Sequence, residues 1–476
     1  MRYISTRGQA PAVSFLDAVL AGMAPDGGLY VPESWPALGL EPRRVVFSHY
    51  AQVAGHALRA FAGADLSAEE TFDLTSEAYI DITPVPPAPG WRAKWPEPVT
   101  PLRQVRVGDW LLELFHGPSL SFKDVAMQLI GPLYDSALSK RDARLSVLCA
   151  TSGDTGGAAV EALKGRARAD LFVLTPKGRV SEVQRRFMTA SGASNVHVIE
   201  VDGDFDACQA IVKALFADAA FAQRAQLSGV NSINWARIVA QSVYFQVAAH
   251  TFGGHGPVDF IVPTGNFGDA YSGWVAKQMG APIGRIVLAT NANDILARAL
   301  NTGRYERGAS VPTLSPAMDI QVASNFERIL FEALERDGAA VARLYAQLTQ
   351  SGGFDIPDAA LDRLRADFAA AHVSDEETLQ TMAWSAEDDA PICPHTAVAY
   401  AARSKVPGQL SNNAVVFLAT AHPAKFPETV ERATGVRPEL PTKCADLFER
   451  PEKFDSLPAD AEAVKRYIRE RSRAWT

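Results

Sequence analysis

The 476-residue chain has little that would hold it in a membrane or on nucleic acid. It contains no apolar run of about 18 residues, the length that a membrane helix needs, and its opening residues lack the apolar segment of a secretory signal. We therefore expect no membrane partner and a cytoplasmic location. Acidic residues outnumber basic ones, 54 to 46, for a formal net charge of −8. Nucleic-acid surfaces need clustered positive charge, so that partner is not expected either.

Cysteine is scarce, and its four residues are too far apart for a disulfide framework or a zinc site: Cys149, Cys208, Cys393 and Cys444. They predict buried thiols in a reducing compartment. The sequence contains no H-E-x-x-H motif, which would predict a metal site, and no G-x-S-x-G turn, which would support a Ser-His-Asp triad. Three histidines lie in polar, turn-like segments, where a structural role is commoner than catalysis: His116, His395 and His422.

Hydrophobic residues make up 47% of the chain, enough for a large core, and the length predicts two to three domains. Residues 1–95 are predicted to form an N-terminal unit that ends in the proline-rich segment 81–91. Residues 96–240 and 241–476 are predicted to form a smaller and a larger α/β domain. The larger one carries a mostly helical insertion at about 305–400.

From about residue 144, short apolar runs alternate with helical patterns. The runs are continuously apolar, which predicts strands covered on both faces. Strand–helix alternation of this kind builds parallel sheets with right-handed crossovers. The predicted strands are "LSVLCAT", "DLFVLTP", "VHVIEV", "VDFIVP", "RIVLATN" and "AVVFLATAHP".

Two of these strands end in glycine-rich turns. The turns are "TSGDTGG", residues 151–157, and "TGNFGD", residues 264–269. Small residues let backbone N–H groups converge, and the following helix adds its positive end, so both turns suit an anion. Neither matches a dinucleotide-binding or P-loop pattern, and a plain strand-to-helix turn is the alternative for each.

Lys123 lies between Phe122 and Asp124 at the start of an apolar helical pattern. One interpretation is a solvated lysine at a helix start. The other is a reactive amine, whose pKa must be lowered by burial or by a nearby cation, and Leu120, Phe122 and Val125 supply an apolar flank. Together with the two turns, the lysine favours pyridoxal phosphate (PLP), which needs an amine and a phosphate cradle.

The segment "NSINWARI", residues 231–238, is a third polar feature. Its Arg237 begins a helical pattern, and a guanidinium can grip a phosphate in bidentate fashion. The alternative is helix capping by Ser232 or Asn234, with Arg237 exposed to solvent.

These motifs together resemble the threonine synthase family, in the long form of bacteria and fungi. The resemblance runs through "ELFHGPSLSFKD", "TSGDTGGAA", "NSINWARI", "PTGNFGDA", "SPAMDIQVASNFERILF" and "ATAHPAKF", and the opening "YISTRGQAPAVSF" is similar too. It implies the tryptophan synthase β-like fold, PLP fold type II, with two open parallel-sheet domains and an added N-terminal unit. It also implies PLP and conversion of O-phospho-L-homoserine and water to L-threonine and phosphate. We expect no metal, and a monomer or homodimer.

The resemblance assigns the residues that would bind the cofactor. Lys123, near the domain interface, takes the position of the lysine that forms the Schiff base. Thr420 takes that of the hydroxyl facing the pyridine nitrogen. Asp154 stands where many enzymes of this fold carry an asparagine beside the cofactor's 3′-oxygen, so that a shared proton or a different contact is expected. The turn that would hold the cofactor phosphate consists of Gly265, Asn266, Phe267 and Gly268.

Four further residues are assigned to the substrate. Ser152 and Thr155 resemble the segment that receives its carboxylate, and Ser232 and Arg237 resemble residues that hold its phosphate. Two other functions stay open. One is a dehydratase or β-replacement enzyme of the same fold, which would not need a second phosphate site. The other is a non-catalytic ligand-binding or regulatory protein.

Overall fold

The structure is a computed structural model, and it describes the following residues: 1–80, 94–253, 256–387, 391–411 and 413–476. The proline-rich segment predicted at 81–91 lies outside them. Among the described residues no helix is both long and apolar enough to cross a membrane.

The described strands are β1 Tyr3–Ser5, β2 Tyr30–Pro32, β3 Leu102–Arg106, β4 Asp109–Glu113, β5 Leu145–Ala150, β6 Ala169–Pro176, β7 Val196–Asp202, β8 Leu227–Gly229, β9 Val258–Pro263, β10 Ile283–Thr290, β11 Arg304–Glu306, β12 Gly353–Asp355, β13 Phe368–His372, β14 Val415–Ala419 and β15 Asp455–Pro458.

The described helices are α1 Phe15–Ala21, α2 Pro42–Phe47, α3 Tyr50–Ala62, α4 Ala68–Tyr79, α5 Lys123–Lys140, α6 Asp154–Leu163, α7 Glu182–Thr189, α8 Phe205–Ala217, α9 Ala219–Arg224, α10 Trp235–Thr251, α11 Gly268–Gln278, α12 Ile295–Thr302, α13 Phe326–Ala333, α14 Gly338–Ser351, α15 Asp358–Asp367, α16 Asp375–Glu387, α17 Pro394–Ala402, α18 Pro427–Thr434 and α19 Ala461–Arg471.

Two open sheets form the body of the molecule. The smaller has five strands in the order β15-β7-β6-β5-β8, all parallel. The larger has six strands in the order β13-β10-β9-β14-β4-β3, parallel except for the antiparallel edge pair β3 and β4. The central strands β5, β6, β9 and β14 are buried along their whole length. The predicted α/β class and its continuously apolar strands are confirmed.

The two sheets are interleaved along the chain. Strands β3 and β4 precede the smaller sheet in sequence but belong to the larger one, and β15 follows the larger sheet but belongs to the smaller. Within the range 305–400 lie α13 to α16, as the helical pattern indicated, and also the short strand β12 and the edge strand β13, which it did not indicate. The domain boundaries after residues 95 and 240 stay a prediction.

The N-terminal residues pack on α10, which connects the two sheets. Tyr3 and Phe61 contact the buried ring of Trp235, with centroids 5.7 and 5.6 Å away. The buried Arg328 joins the same region, because it donates to the carbonyls of Tyr30 at 3.1 Å and Ile233 at 2.7 Å. These contacts fix the segment that leads into α10.

Candidate active site

One cleft contains every site residue that the sequence assigned. Its walls follow the carboxyl ends of β5, β9 and β14, where open parallel sheets bind their ligands. The assigned residues that line it are Lys123, Ser152, Asp154, Thr155, Ser232, Arg237, Gly265, Asn266, Phe267, Gly268 and Thr420. Their roles toward cofactor and substrate remain predictions, but segments as distant in sequence as those of Ser152 and Thr420 meet here.

Lys123 is the first residue of α5 and is only 9% exposed. Its Nζ lies 3.3 Å from Oδ2 of Asp154 and 4.5 Å from the centre of the Phe122 ring. Burial lowers the pKa of this ammonium, Asp154 raises it, and Arg237 and Lys425 lower it again, so that the pKa lies below its ordinary value. The solvated interpretation of Lys123 is wrong.

The backbone before Lys123 is tied to the end of β14. The N–H of Phe122 donates to the carbonyl of Thr420 at 2.8 Å, and the N–H of His422 donates to the carbonyl of Leu120 at 3.1 Å. Leu120 has a left-handed backbone, with φ of 62°. The buried Asp124 holds this turn by accepting from the Ser119 hydroxyl at 2.7 Å. Lys123 and Thr420 are therefore fixed relative to each other.

The turn 265–268 is shaped for a close approach by backbone. A Cβ on Gly265 would lie 2.9 Å from the carbonyl oxygen of Ala317, and a Cβ on Gly268 would lie 3.1 Å from Nδ2 of Asn325. Phe267 has φ of 63°, and α11 begins at the next residue. The first N–H groups of a helix have no partner within it, so this turn offers an anion a set of donors and a positive helix end.

The turn after β5 is stabilised by hydrogen bonds to Thr151 and packs against the side chain of Gln184. The Thr151 hydroxyl accepts from the N–H groups of Gly153 at 2.9 Å and Gly156 at 3.0 Å. Gly153 has φ of 135°, and a Cβ there would lie 2.5 Å from Cδ of Gln184. Only glycine fits this position, which sets Ser152 and Asp154 on the cleft wall.

Asp154 is a buried carboxylate with three polar partners. It contacts Lys425 at 2.8 Å, Lys123 at 3.3 Å and the Gln184 side-chain amide at 3.0 Å. Burial alone would raise the pKa of Asp154, but Lys425 and Lys123 lower it to well below its usual range. Asp154 is therefore ionised in the folded protein, and its charged partners are two ammonium groups, while its contact with the cofactor's 3′-oxygen stays a prediction.

The segment 231–238 combines a helix cap with a buried arginine, and the role of Arg237 toward a phosphate stays a prediction. Asn234 caps α10, its side chain accepting from the N–H of Ala236 at 3.0 Å. Arg237 is nevertheless 2% exposed and lines the cleft. Its Nη1 makes one long contact of 3.4 Å to the carbonyl of Val230, and its buried Nε has no hydrogen-bond partner among the described residues. Burial lowers the pKa of Arg237 to about 10, so it remains a cation with unused donors.

The sequence did not indicate three ionisable groups that also belong to this site. Lys425 is completely buried against Asp154. His395 lines the cleft, accepts from the N–H of Ala317 at 3.2 Å, and has its pKa lowered to about 4 by burial, so it is neutral. Asp269 lines the cleft and has its pKa raised to about 7 by burial. Lys425 stands in "ATAHPAKF", but nothing in its spacing separates it from a surface lysine.

The residues present fit PLP. A buried amine with a lowered pKa, Lys123, lines the same cleft as a helix N-terminal turn whose glycines admit a phosphate. The hydroxyl-bearing Thr420 directly follows β14, and its carbonyl accepts from the N–H of Phe122, the residue before Lys123. These are the groups that PLP requires of its protein.

Fold and site define a PLP-dependent enzyme of fold type II, and a family model described as "Pyridoxal-phosphate dependent enzyme" matches residues 93–421. Models described as "Threonine synthase N terminus" and "Threonine synthase, C-terminal" match residues 2–79 and 396–468. A threonine synthase of Pseudomonas aeruginosa is 45% identical over 472 residues, covering 98% of each chain. The chain belongs to the threonine synthase family.

Solved structures agree with this membership. PLP-bound threonine synthase from Brucella melitensis has 46% sequence identity, covers 100% of both chains and superimposes with a TM-score of 0.91. Threonine synthase from yeast has 34% identity, covers 99% of this chain and 98% of its own, and has a TM-score of 0.88.

Proposed function

We propose that this protein converts O-phospho-L-homoserine and water to L-threonine and phosphate, with PLP bound at Lys123. The observation that carries the proposal is the presence of two anion-binding features in one cleft, the turn 265–268 and the buried Arg237. One phosphate belongs to the cofactor. A dehydratase or β-replacement enzyme would leave the second feature without a ligand.

The cofactor's contacts follow from the positions in the cleft. Lys123 would hold PLP covalently, the backbone of residues 265–268 would hold its phosphate, and Thr420 would face its pyridine nitrogen. Asp154, which is already bound by two ammonium groups, would lie near the 3′-oxygen. PLP, when bound, supplies the electron sink that lets a bond at Cα break heterolytically.

The substrate's contacts are proposed from the remaining polar residues. Ser152 and Thr155, at the N-terminal end of α6, would hold the substrate carboxylate. Ser232 and Arg237 would hold the γ-phosphate. Because Arg237 is buried in the cleft as a cation, it would stabilise the phosphate as charge develops on its leaving oxygen.

Lys123 is proposed to carry the protons. Lys123 is suited to act as a base, because burial and then Arg237 and Lys425 lower its pKa and favour the neutral amine. It takes the proton from Cα and then moves a proton at Cβ, the carbon to which water finally adds. The buried walls of the cleft keep other water away from these steps.

Three finer points belong to the same proposal. The chain acts as a monomer or homodimer, with a smaller domain at 96–240 and a larger one at 241–476, apart from strands β3, β4 and β15, which pair into the sheet of the other domain. It works in the cytoplasm, which its four free, buried cysteines favour.

The proposal is tested by comparing substrates. Purified protein loaded with PLP is given O-phospho-L-homoserine, L-serine or L-threonine, and threonine, phosphate and 2-oxo acids are measured. We expect equal amounts of threonine and phosphate from the first substrate. Rapid 2-oxo-acid formation from serine or threonine, with no phosphate release from O-phospho-L-homoserine, would instead identify a dehydratase.

A further inference from the structure

A second buried lysine shares the carboxylate that Lys123 contacts. Lys425 is 0% exposed, and its Nζ lies 2.8 Å from Oδ1 of Asp154. The same Nζ donates to the carbonyl of Ser119 at 2.8 Å. The carbonyl of Lys425 in turn accepts from the Ser181 hydroxyl at 2.9 Å, so backbone and side chain are both held. A lysine this deeply buried requires a permanent partner of opposite charge.

Each carboxylate oxygen of Asp154 contacts a different lysine. Oδ2 faces Lys123 at 3.3 Å, whereas Oδ1 receives Lys425 and the amide of Gln184. The contact to Lys425 is the shorter of the two and the more deeply buried. Asp154 therefore keeps one ammonium partner even when Lys123 is uncharged.

The other ionisable groups near Asp154 do not replace the positive charge of Lys425. His395 is neutral because burial lowers its pKa to about 4. Asp124 is a second buried carboxyl, with a pKa raised to about 6 by burial, and it is held by the Ser119 hydroxyl and backbone. Arg237 adds positive potential at Lys123. Without Lys425, Asp154 would face a neutral Lys123 as an uncompensated buried charge.

We propose that Lys425 is a positioning residue that keeps Asp154 ionised while Lys123 gains and loses its proton. The inference rests on the proposed role of Lys123 as the reacting amine. Lys425 never exchanges a proton with the substrate. Lys425 contributes a constant positive charge. Because of this charge, Lys123 can change its protonation state while Asp154 stays ionised.

The first test is the pH dependence of kcat in parent, Lys425→Met, Asp154→Asn and the double variant. Loss of an adjacent ammonium raises the pKa of a carboxyl by about 1–3 pH units, and it also raises the pKa of Lys123. We expect Lys425→Met to lose up to about tenfold in kcat near pH 7 for each unit by which the pKa of Lys123 rises, and to shift the acid limb of its profile to higher pH. The shift of the acid limb must be smaller when Asp154 is asparagine, because the carboxyl that depends most directly on Lys425 is then gone, whereas Asp124, Asp269 and Lys123 remain in every variant.

The second test does not use activity. The Tm of the four cofactor-free proteins forms a double-mutant cycle, in which Lys425→Met is expected to lower Tm and the added Asp154→Asn to recover at least half of that loss. Lys465→Met is the matched control, since it breaks a contact of 2.7 Å with Asp218 away from the cleft. It should leave the pH profile unchanged.

Particular outcomes overturn the inference. One is a parent-like kcat profile for Lys425→Met. Another is a shift of the acid limb that is as large in the double variant as in Lys425→Met, or additive Tm losses around the cycle. If Lys425→Met does not fold, the same change is made in Asp154→Asn, where a large further loss of Tm or a further shift in profile counts against the proposal. Failure of the proposed function is seen separately, as absence of turnover by the parent protein.

Discussion

Replacing Arg237 tests the feature that distinguishes this cleft from one with a single phosphate site. The guanidinium has five N–H donors, yet among the described residues it makes one hydrogen bond, at 3.4 Å, and its Nε has none. Most of its hydrogen-bonding capacity is therefore available to an anion. Removing a charge-assisted hydrogen bond from a buried site costs about 2–4 kcal/mol, which is roughly 30- to 1000-fold in kcat/KM.

We expect Arg237→Ala and the better-packed Arg237→Met to lose that factor with O-phospho-L-homoserine, while PLP binding and its absorbance persist. Arg237→Lys should recover only part of the loss, since a point charge lacks the fork of the guanidinium. Inorganic phosphate should compete with substrate in the parent and less in the variants. Arg298→Ala, which removes a partly exposed pair with Asp294 on α12, is the control for loss of an arginine as such.

Retention of near-parent kcat/KM and of unchanged phosphate inhibition by Arg237→Met would refute this reasoning. Arg237 would then be a structural cation beneath the cleft, and the second anion site would have to be sought elsewhere.

Three further changes have distinct expected outcomes. Lys123→Ala should abolish borohydride-dependent fixation of PLP and nearly all turnover, and fixation on another lysine would contradict the assignment. Gly268→Val should lower PLP retention on dialysis, because a side chain there meets Asn325 and blocks the approach to the backbone; full cofactor occupancy with parent activity would count against the phosphate turn. Asp269→Asn should change how stability depends on pH. Burial raises the folded pKa of Asp269 to about 7 against about 4 unfolded, so the folded state binds more protons and stability falls as pH rises between these values. The Tm gained by Asp269→Asn in cofactor-free protein should therefore grow from pH 5 to about 7 and then level off, and a gain independent of pH would show that Asp269 does not titrate there.

Much of the fold could be predicted because its strands are local and continuously apolar. Strands β5, β6, β7, β9, β10 and β14 each coincide with an apolar run that is bounded by turn residues. Strand β13 was not predicted because "FAAAH" consists mainly of alanine, which has no strand preference, and its place at the sheet edge is set by pairing with β10.

The site was predictable where function leaves a local pattern. Glycines at positive φ or in close approach, and a lysine at the start of an apolar helix, are visible in sequence. Lys425 and Asp269 are not, because their importance comes from burial and from partners far along the chain. The contact between Lys425 and Asp154, for example, joins residues that local periodicity cannot relate.

The most direct test of the central claim is the fate of oxygen when PLP-loaded protein acts on O-phospho-L-homoserine in ¹⁸O-labelled water. Elimination breaks the bond between carbon and the phosphate oxygen, and water then adds at Cβ. The account predicts threonine with one ¹⁸O in its hydroxyl group and released phosphate without label. Homoserine accompanied by ¹⁸O-labelled phosphate would reveal hydrolysis at phosphorus and would contradict the account.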